Sequence, residues 1–168
     1  MSLADHIPSL PLAADDGRPS PYVGGLDAER ARRLADCAEA FPVLRYLGMS
    51  LDAIDTDLAV MSLAHRVELS QPMGALHGGI IATLIDTAVG WAMASTLKEG
   101  FTVLTAGLDV KYFKAVLGGR VTATARIPRK GRQLLHGEVN VVDDAGDLVA
   151  RGWCIYVPAA MKRAGGPA

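Results

Sequence analysis

The stretch "ALHGGIIATLIDTAVGWAMAS", residues 75–95, decides the fold. It holds one histidine, a glycine pair and a single acid, Asp86, in an otherwise uncharged run. From Leu76 to Leu97 the chain is apolar on nearly every face, the pattern of a helix buried on all sides. A run of roughly 20 such residues is long enough to span a bilayer. An acid near its centre would cost about 2.5–3.5 kcal/mol on insertion, and the segments that follow alternate like half-buried strands. The run therefore predicts a central helix with a sheet curled about it, its remaining exposed side covered by a second subunit.

Outward from this helix, four strand-like segments follow: 101–115, 119–129, 133–144 and 147–158. They are separated by "VLGG", "RKG" and "DDAGD", breakers that suit a four-strand antiparallel meander. On the other side, "RYLGMSLDAIDTDLAVMSLAHRVEL", residues 45–69, reads as two strands about a turn near Asp55–Asp57. "LDAERARRLADCAEAF", residues 26–41, reads as a lead-in helix. Asp27 is its cap, Leu34, Cys37, Ala38 and Phe41 fall at helical spacing, and Pro42 marks its end. Residues 1–25 are rich in Pro, Gly and Ser and predict an extended arm, free to lie on a partner subunit. Residues 159–168 read as a frayed tail. At 168 residues, half of them hydrophobic, the chain supports one well-buried core. The fold class is α+β, with a single domain over 26–158.

A net charge of −1 carries no basic excess for nucleic acid. Cys37 and Cys154 fit no metal-ligand spacing and are too few for a disulfide framework, which suits a reducing compartment. The N-terminal segment has no basic region followed by a continuous apolar one, so the expected location is cytoplasmic. No metal site and no bound cofactor are expected.

Two features of the central helix carry chemistry. Gly78 and Gly79 stand at its start, where first-turn N–H groups lack partners inside the helix. The helix dipole would favour an oxyanion there, and glycine permits close approach. The plainer reading is a tight strand-to-helix turn. Asp86 is the sharper observation, because a carboxylate buried without partners costs several kcal/mol or takes up a proton. Either it bonds a neighbour such as Thr83 or Thr87, or it serves as nucleophile or general base in a pocket of low polarity. Eight residues along a helix span about 12 Å, whereas both groups would need to lie within roughly 3 Å of one carbonyl. Two antiparallel copies related by a two-fold axis satisfy this, each bringing its glycine end to the other's acid.

Weaker candidates surround this pair. His77 could orient a carbonyl or cap the helix. Gln71 offers an amide to a carbonyl or water, or is an ordinary loop residue. Thr105 could hold a water or simply favour a strand. Arg126, Arg129, Lys130 and Arg132 could bind phosphates or form a solvated turn. No nucleophile elbow, P-loop or dinucleotide-binding glycine pattern is present.

"QPMGALHGGIIATLIDTA" resembles the signature of the hotdog-fold acyl-CoA thioesterases, specifically the phenylacetic-acid-degradation type. The resemblance runs from about Phe41 to Pro158, with "LGMSL", "TAGLDVKYFKAV" and "GRQLLHGEVNVVDDAGDLVARG" as flanks, and leaves residues 1–40 unexplained. It implies a curled antiparallel sheet around one long helix, assembled as a homodimer or homotetramer, and hydrolysis of acyl-CoA with CoA as part of the substrate. By position it makes Asp86 the catalytic acid, Gly78 the backbone donor to the thioester carbonyl, and His77 the adjacent site residue. Gln71 falls where many members carry Asn, and Thr105 falls on a position that places water. Gly79 adjoins the donor, and Lys114 with Arg129, Lys130 and Arg132 would meet CoA phosphates. Gly90 and Met93 would leave room for an aryl or medium-length acyl group. The alternatives are a hotdog hydratase or dehydratase, and a domain that binds acyl-CoA without turnover.

Overall fold

The computed structural model describes residues 20–161. Helix α1 (Ala28–Ala40) starts at Asp27, whose carboxylate accepts the Arg30 N–H, and stops at the extended Phe41. Pro42 then opens a second short helix, α2 (Pro42–Leu47), closed by Gly48 in the left-handed region at φ 72°. Proline has no N–H to lose in a first turn, and glycine pays no Cβ penalty at the exit. Arg45–Leu47 are therefore helical, and the first strand begins four residues later than the sequence pattern suggested.

Strands β1 (Met49–Asp55) and β2 (Leu58–Ala64) form the expected hairpin. Its two-residue turn puts Asp57 at φ 58°, a conformation Asp tolerates better than most residues. Helix α3 (Gly78–Ala94) follows, then β3 (Phe101–Tyr112), β4 (Arg120–Lys130), β5 (Leu135–Asp143) and β6 (Leu148–Ala160). The six strands make one antiparallel sheet in the order β1-β2-β4-β5-β6-β3. The meander thus covers β4, β5 and β6 only. β3 ends at Tyr112, and residues 113–119 are longer than the loops that close hairpins. They form a crossover pinned by buried Val116, whose carbonyl accepts the Leu76 N–H at 2.8 Å. β3 consequently pairs with β6 and is left at the sheet edge.

The predicted arm (1–25) and tail (159–168) lie largely outside the described residues. What is described of them packs on this chain. Tyr22 bridges Leu97 and its hydroxyl donates to the Gly131 carbonyl at 2.6 Å. Ala159 and Ala160 extend β6 against Thr102 and Phe101.

The sheet curls around α3, whose Ile81, Leu84, Ile85, Ala88, Val89, Ala92 and Met93 are buried against it. The opposite stripe, including Ala82, Thr83, Asp86, Thr87 and Gly90, is only half-buried, so within one chain the helix is not enclosed on every side. Two glycines set how close it comes. A Cβ on Gly152 would lie 2.5 Å from Ile85 Cγ2, and one on Gly137 would collide with Val89. Gly152→Ala should therefore destabilise by about 1–3 kcal/mol through overpacking, seen as a drop of about 2–4 °C in Tm per kcal/mol. Combined with Ile85→Ala it should cost less than the two single changes added, because the second change empties the space the first one fills.

Candidate active site

Asp86 lies in the middle of α3, one residue beyond Ile85, so the packing of Ile85 on Gly152 turns the carboxylate sideways along the sheet. It meets Tyr156 and Thr105 there. The Tyr156 hydroxyl lies 2.6 Å from Asp86 Oδ1 and 2.5 Å from the Asp86 carbonyl oxygen, and its one proton serves one acceptor at a time. Thr105 Oγ1 donates to the same Oδ1 at 3.1 Å. Both donors converge because Tyr156 on β6 and Thr105 on β3 are cross-strand partners. Thr83, a bonding candidate from sequence, instead donates to the Gly79 carbonyl at 2.9 Å.

Burial, followed by the hydrogen bond to Asp86, pushes the Tyr156 phenol far above its ordinary value. Tyr156 is therefore a fixed donor, protonated throughout any working pH. With both bonds on Oδ1, the other carboxylate oxygen has no protein partner among the described residues. The carboxylate contributes to the wall of a cavity of about 670 Å³.

The far end of β3 serves the start of α3. The Tyr112 hydroxyl donates to the Gly78 carbonyl at 2.8 Å, and its ring would stand 3.4 Å from a Cβ on Gly78. Thr105 and Tyr112 are seven positions apart, and in a regular strand that odd spacing would put them on opposite faces. Ala106 bulges out of register between Thr105 and Gly107. The bulge reverses the alternation, so Val103 and Thr105 before it, and Leu108, Val110 and Tyr112 after it, share one face.

His77 caps α3, its Nδ1 accepting the Gly79 N–H at 2.9 Å. That bond occupies the Gly79 donor, whereas the Gly78 N–H is a first-turn donor with no partner within the helix. Along the regular helix Gly78 and Asp86 are about 12 Å apart, and one chain does not bring them together. Gln71 turns its side-chain oxygen back to the Met73 N–H at 2.7 Å, ordering its own loop. Gly90 lines the cavity above the Tyr156 hydroxyl.

Other candidates are placed elsewhere. Met93, four residues beyond Val89, is fully buried in the core and does not line the cavity. Lys114 bonds Asp143 and Asp147, at 2.6 Å each. These hydrogen bonds raise the Lys114 pKa, and the same contact lowers that of Asp143. Lys130 pairs with Asp57 at 2.6 Å beside the Tyr22 ring, and Arg129 and Arg132 are exposed near the β4–β5 turn. None of these four basic residues lines the cavity.

A curled antiparallel sheet around one long helix is the hotdog architecture. A model of the thioesterase superfamily matches residues 73–150. A protein of Haemophilus influenzae named as an esterase is 32% identical over 105 residues, covering 61% of this chain and 75% of that protein. One of Halobacterium salinarum, also named as an esterase, is 34% identical over 127 residues, covering 72% and 83%. The solved structure of the PaaI protein from the phenylacetic acid degradation operon of E. coli shares the fold, with a TM-score of 0.72 at 20% identity over 79% of this chain and 96% of that one. The chain belongs to the thioesterase superfamily and is a thioester hydrolase.

Tyr156→Phe should remove a bond to a charged acceptor. In a double-mutant cycle with Asp86→Ala, thermal or urea unfolding should give a coupling of about 1.5 kcal/mol. Zero coupling would mean that Asp86 is oriented by something other than Tyr156.

Proposed function

We propose that the protein hydrolyses acyl-CoA thioesters at sites shared between two copies of the chain, with no cofactor beyond the CoA that the substrate carries. Asp86 is the nucleophile or the general base, and both roles start from its unbonded oxygen. Attack breaks the C–S bond, CoA leaves as thiolate, and water supplies the oxygen of the acid product. The developing oxyanion takes a hydrogen bond from the Gly78 N–H of the second copy, reinforced by the helix dipole.

The observation that carries this reading is the pairing of contacts along β3, where Thr105 marks the position of Asp86 and Tyr112 the position of Gly78. β3 is a 12-residue edge strand with Leu104, Leu108 and Tyr112 exposed and Phe113 exposed just beyond its end, a surface that proteins seldom leave uncovered. If two β3 edges pair antiparallel about a centre at Asp109, with Ala106 out of the count as it is against β6, Thr105 of one copy stands opposite Tyr112 of the other. Asp86 of one copy then faces Gly78 of the other, and Leu104 meets Phe113. The arrangement is isologous and yields two equivalent sites. The free thiols of Cys37 and Cys154 support a cytoplasmic setting, and no helix among the described residues is long and apolar enough to cross a membrane.

A thiol-release assay over an acyl-CoA panel tests the proposal. Asp86→Asn should lower turnover by about 10²–10⁴-fold while sedimentation still shows the dimer. Full turnover by this variant would overturn the assignment, and binding of acyl-CoA without thiol release by the parent protein would point to a binding domain.

A further inference from the structure

Helix α1 lies outside the segment matched by the superfamily model, and the hydrolysis proposed above makes no use of it. Yet one face of α1 closes the cavity that holds Asp86. Arg30, Arg33, Leu34 and Cys37, with Phe41 at its end, all line that cavity, a recurrence at three- and four-residue spacing that marks a single helical stripe. Ala38, one turn beyond Leu34, flanks this stripe and seats the helix in the core.

The wall is held in place. The Arg30 guanidinium donates to the carbonyls of Ala94, at 2.8 Å, and Leu97 beyond the end of α3. Arg33 pairs with Glu99 at 3.3 Å. The Phe41 ring meets Trp91 edge-on, with centroids 6.2 Å apart and planes at 84°. From Asp86 the cavity runs along Thr87, Gly90, Trp91 and Ala94 toward the start of β3. Gly90 leaves one turn beyond the acid bare of side chain. About 670 Å³ lies well inside the range of roughly 300–1,000 Å³ that accommodates drug-sized ligands.

Both arginines are committed, one to main-chain carbonyls and one to Glu99. Arg30 keeps its charge, but Arg30, Arg33 and Lys98 against Glu99 and Asp86 leave the lining with a net charge of only +1, too little to cradle the several phosphates of CoA. Leu34, Phe41, Trp91, Phe101 and Val103 offer carbon surface instead. We infer that α1 is the outer wall of the acyl pocket, with Leu34 and Cys37 setting the size of the acyl group, and that the substrate class is acyl-CoA bearing a long or bulky apolar group. The inference rests on the hydrolytic role of Asp86.

Two measurements test it. Leu34→Trp and Cys37→Trp fill the cavity from the α1 side, and each should lower the ratio of kcat/KM for dodecanoyl-CoA over butyryl-CoA by at least about tenfold, the scale on which apolar pockets discriminate by size. Leu34→Ala should raise that ratio. A ratio within about twofold of the parent's for all three variants would overturn the inference. The second measurement needs neither turnover nor a change in α1. In the Asp86→Asn protein, a non-hydrolysable thioether analogue of dodecanoyl-CoA should slow iodoacetamide labelling of Cys37 at least about fivefold, and CoA alone should not. Cys154 stays silent, since it is buried, and burial, the larger cause of its raised thiol pKa in the parent, persists without the Asp86 charge. Protection by CoA as strong as by the analogue, or none by either, would overturn the inference. Should Asp86→Asn retain turnover, the hydrolytic reading fails by itself, while the labelling still reports what occupies the cavity.

Discussion

The close seat of α3 on the sheet is the constraint on which the site depends. Gly137 and Gly152 are the two inward positions of β5 and β6 where any side chain would strike the helix, at Val89 and Ile85. Because Ile85 and Val89 are one turn apart, the two contacts fix both the height of the helix and its rotation about its own axis. Asp86 has only one direction left to face. Tyr156, two inward positions beyond Gly152 on the same strand, waits there with a hydroxyl that stays protonated. The carboxylate that looked anomalous in an apolar helix is thus half-buried and bonded on one oxygen, with the other free for chemistry.

The second constraint is the bulge at Ala106. One strand has to reach Asp86 with Thr105 and the glycine turn with Tyr112, and without the extra residue it could serve only one of them. The same strand is the open edge of the sheet. The edge through which a second copy can pair therefore carries, on its inner face, the markers of both halves of the proposed site. Assembly and catalysis become one requirement in this account, and a chain alone holds the acid without its oxyanion donor.

Much of this is legible in the sequence. The all-apolar helix, the hairpin before it and the isolated acid follow from periodicity and from the cost of burying charge. The rise per residue of a helix already shows that Gly78 and Asp86 belong to different copies if they share a site. Tyr156 was missed although a signal exists, since the alternation of "ARGWCIYVP" puts Tyr156 on the face of Gly152 and Cys154. The edge position of β3 was not legible, because sheet order depends on which strands meet around the helix, and local turn signals say nothing of a crossover. The bulge was hidden for the same reason: "TAG" reads as ordinary strand until a partner strand reveals the unpaired residue. The basic residues looked alike in sequence, and their carboxylate neighbours, distant along the chain, separate Lys114 and Lys130 from Arg129.

The central claim, that each site takes Asp86 from one copy and the Gly78 N–H from the other, is open to a subunit-mixing measurement. Gly78→Pro removes the N–H at a helix position that accepts proline, adding a ring whose Cβ would stand in ordinary contact with Tyr112 at 3.4 Å, and His77 before it already has the extended backbone, φ −64° and ψ 132°, that a residue preceding proline adopts. Asp86→Asn and Gly78→Pro homodimers should each be inactive. Refolded together in equal amounts, they should recover about one quarter of parental thiol release, because half the dimers are mixed and each mixed dimer holds one intact site. Recovery near that fraction is the predicted result; a mixture as inactive as its components, with mixed dimers shown to be present, would contradict a shared site.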